Sequence, residues 1–485
     1  MKLEEIIAKI MHDKDNIYFI GIKGTGMCAL AELLHGSGAR VSGSDTGEIF
    51  YTNAILDALR IPYFECFDAA HISAESALVI HSAAYSADKN PEMAKALRLG
   101  IPLVKYTDAL GAYSALFDSS GIAGVHGKTT TTAITGTLLA AAAFPAQILA
   151  GSAVTDFGGR STMSIGNKYF IAETCEYRKH FLSFHPRRVL LTGVESDHQD
   201  FFPTYTSILG AFVEYGERIE RGGELIYCAD DAGACETVSL LQKKRGDITY
   251  TAYGFNADGF FKIKNYKTEN ESSIFELAGI PQLWRLRIPG RHTILNSAGA
   301  IALLKSIADS EGVPFSGELV NRAARALAAF SGSKRRSEIL GEAGGILFMD
   351  DYAHHPTAIK TTLAGLREFY PRRRLVVSFM AHTYSRTAAL LSDFAGAFES
   401  AGIVFLHKIY ASAREEYNGT VTGFSLFEKT KALRGSVYYV DEPLDALGQL
   451  KSILRPGDLF ITLGAGDNWR LGGALFNDYK IKGAA

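Results

Sequence analysis

Short runs of apolar residues recur along the chain, each closed by glycine or by acidic and polar residues, and the stretches between them have helical character. Ile17–Ile20 runs into GIKGTGM, and Ala77–Ile80 runs into His81-Ser82. A second block opens near Gly121 with GIAGVHGKTTTT and contains Tyr169–Ala172 and Val189–Val194. A third contains Ile346–Met349, Leu375–Phe379, Ile403–Leu406 and Leu459–Leu463. Continuous apolar runs of four to six residues, separated by helical lengths, predict parallel strands buried on both faces, hence an α/β protein. The segment Gly254–Gln282 mixes short β-like runs with glycine and polar residues and predicts an antiparallel insertion. Boundaries fall near Tyr113 and Phe330. They give a Rossmann-like domain over 1–113, a central P-loop ATPase-type domain over 114–330 and a Rossmann-like domain over 331–485.

The length of 485 residues agrees with about three domains. Fifty basic against 52 acidic residues leave a net charge of −2, which argues against nucleic acid as a partner. Five scattered cysteines without a CxxC pair suit free thiols in a reducing compartment. Acidic residues at the N-terminus interrupt any signal-like stretch. The longest apolar segment, LLAAAAFPAQILAG, is broken by Pro145 and reads as a helix followed by a strand, not as a membrane insertion. A cytoplasmic location follows as the expectation.

The sharpest chemical signal is Gly124-Val125-His126-Gly127-Lys128-Thr129-Thr130, between a strand and a helix. Backbone N–H groups in such a turn converge on phosphate, and the helix start adds partial positive charge. Lys128 can reach the terminal phosphates, and the Thr129 hydroxyl can ligate Mg²⁺. The spacing is not G-x-x-x-x-G-K-[ST], because Ile122 occupies the first glycine position. The plainer alternative is a glycine turn before a helix that happens to begin with Lys-Thr. A metal needs further oxygen ligands, and Glu173 directly follows Tyr169–Ala172. Glu195, Asp197 and His198 follow Val189–Val194. Strand C-termini are where open α/β sheets bind ligands.

In the first block Gly21, Gly24 and Gly26 follow a strand, and Asp45 closes the next one. That layout suits a nucleotide diphosphate, although the spacing is G-x-x-G-x-G. Ser82, after Ala77–Ile80, belongs to the same sheet edge. A turn that only packs strand on helix is the alternative.

Taken in order, these motifs resemble the Mur ligase family over nearly the whole chain. The resemblance rests on GIKGTGM, GSD, AGVHGKTTTTA, DHQDFF, PGRHTILN, GSKRRSE, DDYAHHPTAIKTTL, HTYSRT and IYASAREE. AETCEYRKHFLSFHP is similar to a subset of these ligases, others being more acidic there. The resemblance implies an ATP- and Mg²⁺-dependent ligase that joins L-alanine to the lactyl carboxylate of UDP-N-acetylmuramate through an acyl phosphate. By motif position, Lys128 would hold phosphate, Thr129 and Glu173 one Mg²⁺, and His198 a second. Asn296 and Asp351 would hold adenine and ribose, and Arg336 would face the nucleotide. His355 and Arg386 would lie on the amino-acid side. Departures from the family pattern are Thr293, Ser337 and Thr383, where members often carry asparagine, phenylalanine and arginine. Two other functions stand as alternatives. One is a murein peptide ligase that takes a recycled peptide, and the other is a nucleotide-binding regulator without ligase chemistry. Adjacent histidines do not share a helix face, so HHP is not a metal pair, and a capping or structural role is expected for one of His354, His355 and His382. Cys175 lacks an evident base and reads as a passive thiol.

Overall fold

The computed structural model describes residues 1–484 except 270, 412–416 and 418, so the SAREE part of IYASAREE lies outside the described residues. The chain divides into two compact units. One comprises Met1–Glu195, Ile208–Asp258 and Gly299–Ala323; the other comprises Ser196–Ser207, Gly259–Ala298 and Ala324–Ala485.

The first unit holds two sheets. In the N-terminal sheet, β1 (Asn16–Ile20), β2 (Arg40–Ser44), β3 (Tyr63–Phe64), β4 (Ser76–His81) and β5 (Leu103–Lys105) are all parallel, in the order β3-β2-β1-β4-β5. Ile17–Ile20 are buried because helices cover both faces, which is why the run has no polar alternation. The chain leaves β1 toward β2 and later returns to its other side as β4. The C-terminal ends of β1 and β4 therefore form a topological switch point, the usual ligand crevice of open α/β sheets.

The second sheet of this unit is built from β6 (Asp118–Ala123), β7 (Ala146–Val154), β8 (Arg160–Ser164), β9 (Tyr169–Glu173), β10 (Arg188–Leu191), β11 (Glu224–Cys228) and β12 (Thr249–Gly254). Their order is β12-β11-β10-β6-β9-β7-β8, parallel throughout except for β8, which pairs antiparallel with β7. β6 is central, so the turn that follows it is flanked by the ends of β9 and β10. LLAAAAFPAQILAG is the end of the helix Lys128–Ala142 and the start of β7, as its proline break implies. The apolar run Val189–Val194 overstates its strand, which ends at Leu191. Beyond it the Thr192 hydroxyl donates to Ala123 O (3.0 Å) and His126 O (2.5 Å), and Gly193 O accepts from Val125 N, so the segment turns toward the neighbouring loop.

In the other unit, β13 (Phe261–Thr268), β14 (Ser273–Leu277) and β15 (Ile280–Leu286) pair antiparallel around buried Phe275 and Trp284. The insertion thus begins after Gly254, which closes β12. The remaining sheet has β16 (Glu338–Ala343), β17 (Ile346–Asp351), β18 (Arg374–Met380), β19 (Ile403–Leu406), β20 (Val437–Tyr439) and β21 (Asp458–Gly464), in the order β16-β17-β21-β18-β19-β20. Only the edge strand β16 is antiparallel. Apolar clusters cover both faces, one around Leu363, Phe379 and Phe398, the other around Phe348, Phe405 and Leu475. No helix among the described residues is long and apolar enough to cross a membrane.

Candidate active site

The turn after β6 has the geometry of an anion cradle. Gly124 has φ +133° and Gly127 has φ +82°, both in the left-handed range that favours glycine. A Cβ on Gly124 would stand 2.1 Å from the Thr192 hydroxyl, so the backbone approaches the end of β10 too closely for any side chain. Gly127 is the N-cap of the helix Lys128–Ala142, and Thr129 and Thr130 stand in its first turn. Val125 N donates to Gly193 O (3.0 Å), which fixes the turn against the neighbouring strand end. His126 Nε2 lies 3.5 Å from the Glu195 carboxylate.

Two carboxylates meet this turn from β9. Glu173, its last residue, accepts the Thr129 hydroxyl at 2.7 Å and the Gly151 N–H at 2.7 Å on one oxygen. Three residues on, Glu176 forms an ion pair with Lys128 Nζ at 2.8 Å; the two side chains are 2% and 12% exposed. Lys128 also donates to Gly124 O, closing its own loop. Burial depresses the ammonium's pKa, but Glu176, followed by Cys175 and Glu173, opposes this, and the net shift is upward. The lysine is therefore held charged at the mouth of the cradle. Glu176 was not singled out by sequence reasoning. The available signal was the acid in AETCEYRKH, in a segment where the similar ligases vary.

At the N-terminal switch point, Gly21 has φ +88°, and a Cβ there would meet the Tyr85 ring at 2.8 Å. A Cβ on Gly26 would meet the Tyr106 hydroxyl at 2.8 Å, and Gly24 is the N-cap of the helix Thr25–Gly36. Asp45 accepts the Lys23 N–H (2.7 Å) and the Thr46 N–H (2.8 Å). Ser82 N donates to Ile20 O across the switch point. Of the five residues expected to bind a diphosphate, Gly21 and Ser82 approach closely, a Cβ on Gly21 standing 3.0 Å from Ser82 Cβ, and Asp45 is tied to the same turn through the Lys23 N–H.

The remaining candidates belong to the other unit. Arg386 directs Nε (3.0 Å) and a terminal nitrogen (2.6 Å) onto one oxygen of Asp197, and both side chains are buried. Burial would raise the Asp197 pKa; Arg386, followed by His198 and His354, reverses this and holds the carboxyl well below the usual carboxylate range. His198 follows in the left-handed region (φ +53°), its N–H on Asp197 and its carbonyl accepting from Phe201 N and Phe202 N. His354 places Nδ1 on Tyr352 O (2.7 Å), and burial, then Arg386, holds its pKa well below that of free imidazole. His355 is the N-cap of the helix Pro356–Phe369.

The positions that depart from the family pattern have local work. Ser337 donates its N–H (2.6 Å) and its hydroxyl (3.2 Å) to Asp351, whose other oxygen accepts Ala353 N (2.7 Å). Arg336 lies over the Tyr352 ring, 5.3 Å from its centroid. Thr293 returns its hydroxyl to Gly290 O (2.6 Å) inside the turn that opens the helix Arg291–Ser310, and buried Asn296 follows one turn later. Thr383, at φ +67°, is the N-cap of the short helix carrying Arg386, and its N–H donates to Tyr410 O.

Three family models match in series: "Mur ligase family, catalytic domain" over residues 16–118, "Mur ligase middle domain" over 122–304 and "Mur ligase, glutamate ligase domain" over 335–466. The chain belongs to the Mur ligase family. Among curated members of the family, the UDP-N-acetylmuramate–L-alanine ligase of Treponema pallidum (strain Nichols) is 49% identical over 464 residues, covering 96% of each chain. The protein of that description from Borreliella burgdorferi is 37% identical, covering 95% of this chain and 98% of its own. Among solved structures, the Mur ligase fold is shared with the UDP-N-acetylmuramate-alanine ligase MurC of Thermotoga maritima (TM-score 0.75, 24% identity, 96% of this chain and 100% of that one). It is also shared with a murein peptide ligase of Psychrobacter arcticus (TM-score 0.66, 22% identity, 96% and 99%).

Proposed function

We propose that this Mur ligase joins L-alanine to the lactyl carboxylate of UDP-N-acetylmuramate at the expense of ATP, in peptidoglycan precursor synthesis. The observation that carries the reading is the 49% identity with the Treponema pallidum ligase along 96% of both chains. The residues of the site supply chemistry of the kind the reaction needs. We assign residues 1–113 to the sugar nucleotide, 114–330 to ATP and 331–485 to the amino acid.

A carboxylate is a poor electrophile, so the lactyl acid must first attack the γ-phosphorus of ATP, expelling ADP and becoming an acyl phosphate. The alanine amine then attacks the acyl carbon, inorganic phosphate leaves, and the amine gives up a proton. Bringing two anions together requires positive charge, and Lys128, kept protonated by Glu176, supplies it at the turn. The backbone N–H groups of the turn, apart from that of Val125, which Gly193 O already holds, would orient the triphosphate. The Thr129 hydroxyl and the Glu173 carboxylate, 2.7 Å apart, are hard oxygen donors that fit Mg²⁺ and would hold it. Such an ion, when bound, neutralises charge on the phosphate oxygens. His198 offers an imidazole beside a carboxylate already engaged by Arg386, a poorer donor set for so hard an ion, so its assignment to a second Mg²⁺ rests on motif position alone. Arg386 suits an α-carboxylate, and it can take that role only by exchanging Asp197 for the amino acid. Asn296, Asp351 and Arg336 are assigned to the nucleoside of ATP, and His355 to the amino-acid side, on the same basis as His198.

The test is product analysis with UDP-N-acetylmuramate, ATP, Mg²⁺ and a panel of acceptors. We expect phosphate release that depends on L-alanine, with a product heavier by one alanyl residue. Release driven by a tripeptide and not by alanine would reassign the chain as a murein peptide ligase. ATP binding without acceptor-dependent release would make it a regulator.

A further inference from the structure

Lys23 lies in the glycine turn of the first sheet, and its side chain is 0% exposed. A fully buried lysine is uncommon, and its charge costs several kcal/mol to desolvate unless every donor is satisfied. Here the ammonium donates to Thr46 O (2.9 Å), Glu48 O (3.1 Å) and the Glu65 carboxylate (2.8 Å). Those three acceptors use its three protons. The ring of Tyr63 lies 5.2 Å from the nitrogen. The backbone of the same residue is engaged as well: its N–H donates to Asp45 (2.7 Å), and its carbonyl accepts the Thr52 hydroxyl (2.5 Å). Every polar group of Lys23 therefore ties the glycine turn to the segment 45–52 or to the end of β3.

Packing a strand on a helix does not require this. The tied segment runs from the C-terminal end of β2 into the helix Tyr51–Ala58. Between Asp45 and that helix it has no regular structure, and it displays Ile49, which is 89% exposed, and Phe50. An irregular segment gains order only from such cross-links. It adjoins the glycine turn assigned to the diphosphate and follows β2, the strand whose end meets the ribose in the open α/β dinucleotide-binding layout.

We propose that Lys23 is a positioning residue for the sugar-nucleotide substrate: it touches no phosphate, and it holds segment 45–52 in the conformation that receives the nucleoside. This rests on the assignment of residues 1–113 to the UDP portion. The test uses the full-length chain with Lys23→Met and, as a milder variant, Glu65→Gln, whose side chain is 56% exposed and whose amide oxygen can still accept from the ammonium. The readouts are UDP binding by calorimetry, KM for UDP-N-acetylmuramate, KM for ATP and kcat at saturation. Lys23→Met is expected to weaken UDP binding and raise the sugar-nucleotide KM by the same factor, about tenfold or more. KM for ATP and kcat should stay within about twofold, and Glu65→Gln should shift the same two constants by about threefold. Unchanged UDP affinity in both variants would overturn the proposal, as would a parallel loss of all four constants in Glu65→Gln. Should Lys23→Met not fold, Glu65→Gln decides. A wild-type chain that binds ATP and no UDP would instead remove the domain assignment on which the proposal stands.

Discussion

Removing the lysine of the phosphate turn does two things that one variant cannot separate. Glu176 is buried, Lys128 is largely so, and the two are 2.8 Å apart. At an effective dielectric of about 20, their attraction is about 6 kcal/mol, most of which repays the desolvation of the two charges. Lys128→Met therefore abolishes turnover and also strands a buried carboxylate, at a cost of about 3 kcal/mol in stability. Adding Glu176→Gln removes the stranded charge. The double variant should stay inactive while recovering about 1–3 kcal/mol, the size of coupling expected for contacting groups. Urea denaturation of the four proteins measures the coupling, and ADP release measures activity. Equal stability of Lys128→Met and the double variant would refute the pair's energetic role. Turnover surviving in either would refute the assignment of Lys128 to phosphate.

Three further outcomes follow from the same geometry. Gly124→Ala forces a Cβ into the Thr192 hydroxyl at φ +133°, so it should cost at least about 2 kcal/mol and abolish nucleotide binding, as read by denaturation and calorimetry. Asp197→Asn leaves the Arg386 guanidinium without its buried counter-charge and should lower stability by about 3 kcal/mol, whereas Arg386→Met with Asp197→Asn should recover part of it in the same denaturation assay. His407 is held neutral by burial, its pKa pushed down from 6.5 to about 4, with its ring nitrogens on Ser378 and Val440 O. Between those values the unfolded chain binds the extra proton, so stability is complete above pH 6.5 and falls by about 3 kcal/mol as pH drops to about 4. His407→Gln should flatten that limb in urea midpoints measured against pH.

The strands most legible in the sequence were those buried on both faces. Ile403–Leu406 is β19 to the residue, and the runs assigned to β17, β18 and β21 each lie inside their strands. Such runs carry their own boundary, because polar residues return where the helices stop covering them. The two-residue β3 and the hairpin strand β8 carry no such mark. Val189–Val194 misled because Thr192 and Gly193 serve the neighbouring turn and not the sheet. The glycine cradle was visible because contiguous residues build it. Lys128–Glu176 and Lys23–Glu65 were not, since partners 48 and 42 positions apart meet only when strand order is known. Asp197 was visible as one acid among several in VESDHQD, and nothing in that string marks it as the partner of an arginine 189 positions away.

The helix behind the phosphate turn carries a run of threonines yet buries nearly all of its faces. It does so because the hydroxyls of Thr132, Thr135 and Thr137 return to carbonyls four residues earlier. Most of its interior polarity is thus met within the helix or by Glu173, which accepts the Thr129 hydroxyl, while the buried Thr131 hydroxyl has no hydrogen-bond partner among the described residues. Substitutions at Thr132 and Thr135 should be tolerated only where the new side chain is small and either apolar or able to make the same return bond, such as alanine, valine and serine. Longer polar substitutions would have to open the central layer to water, so this stretch should diverge slowly even in relatives whose acceptor has changed.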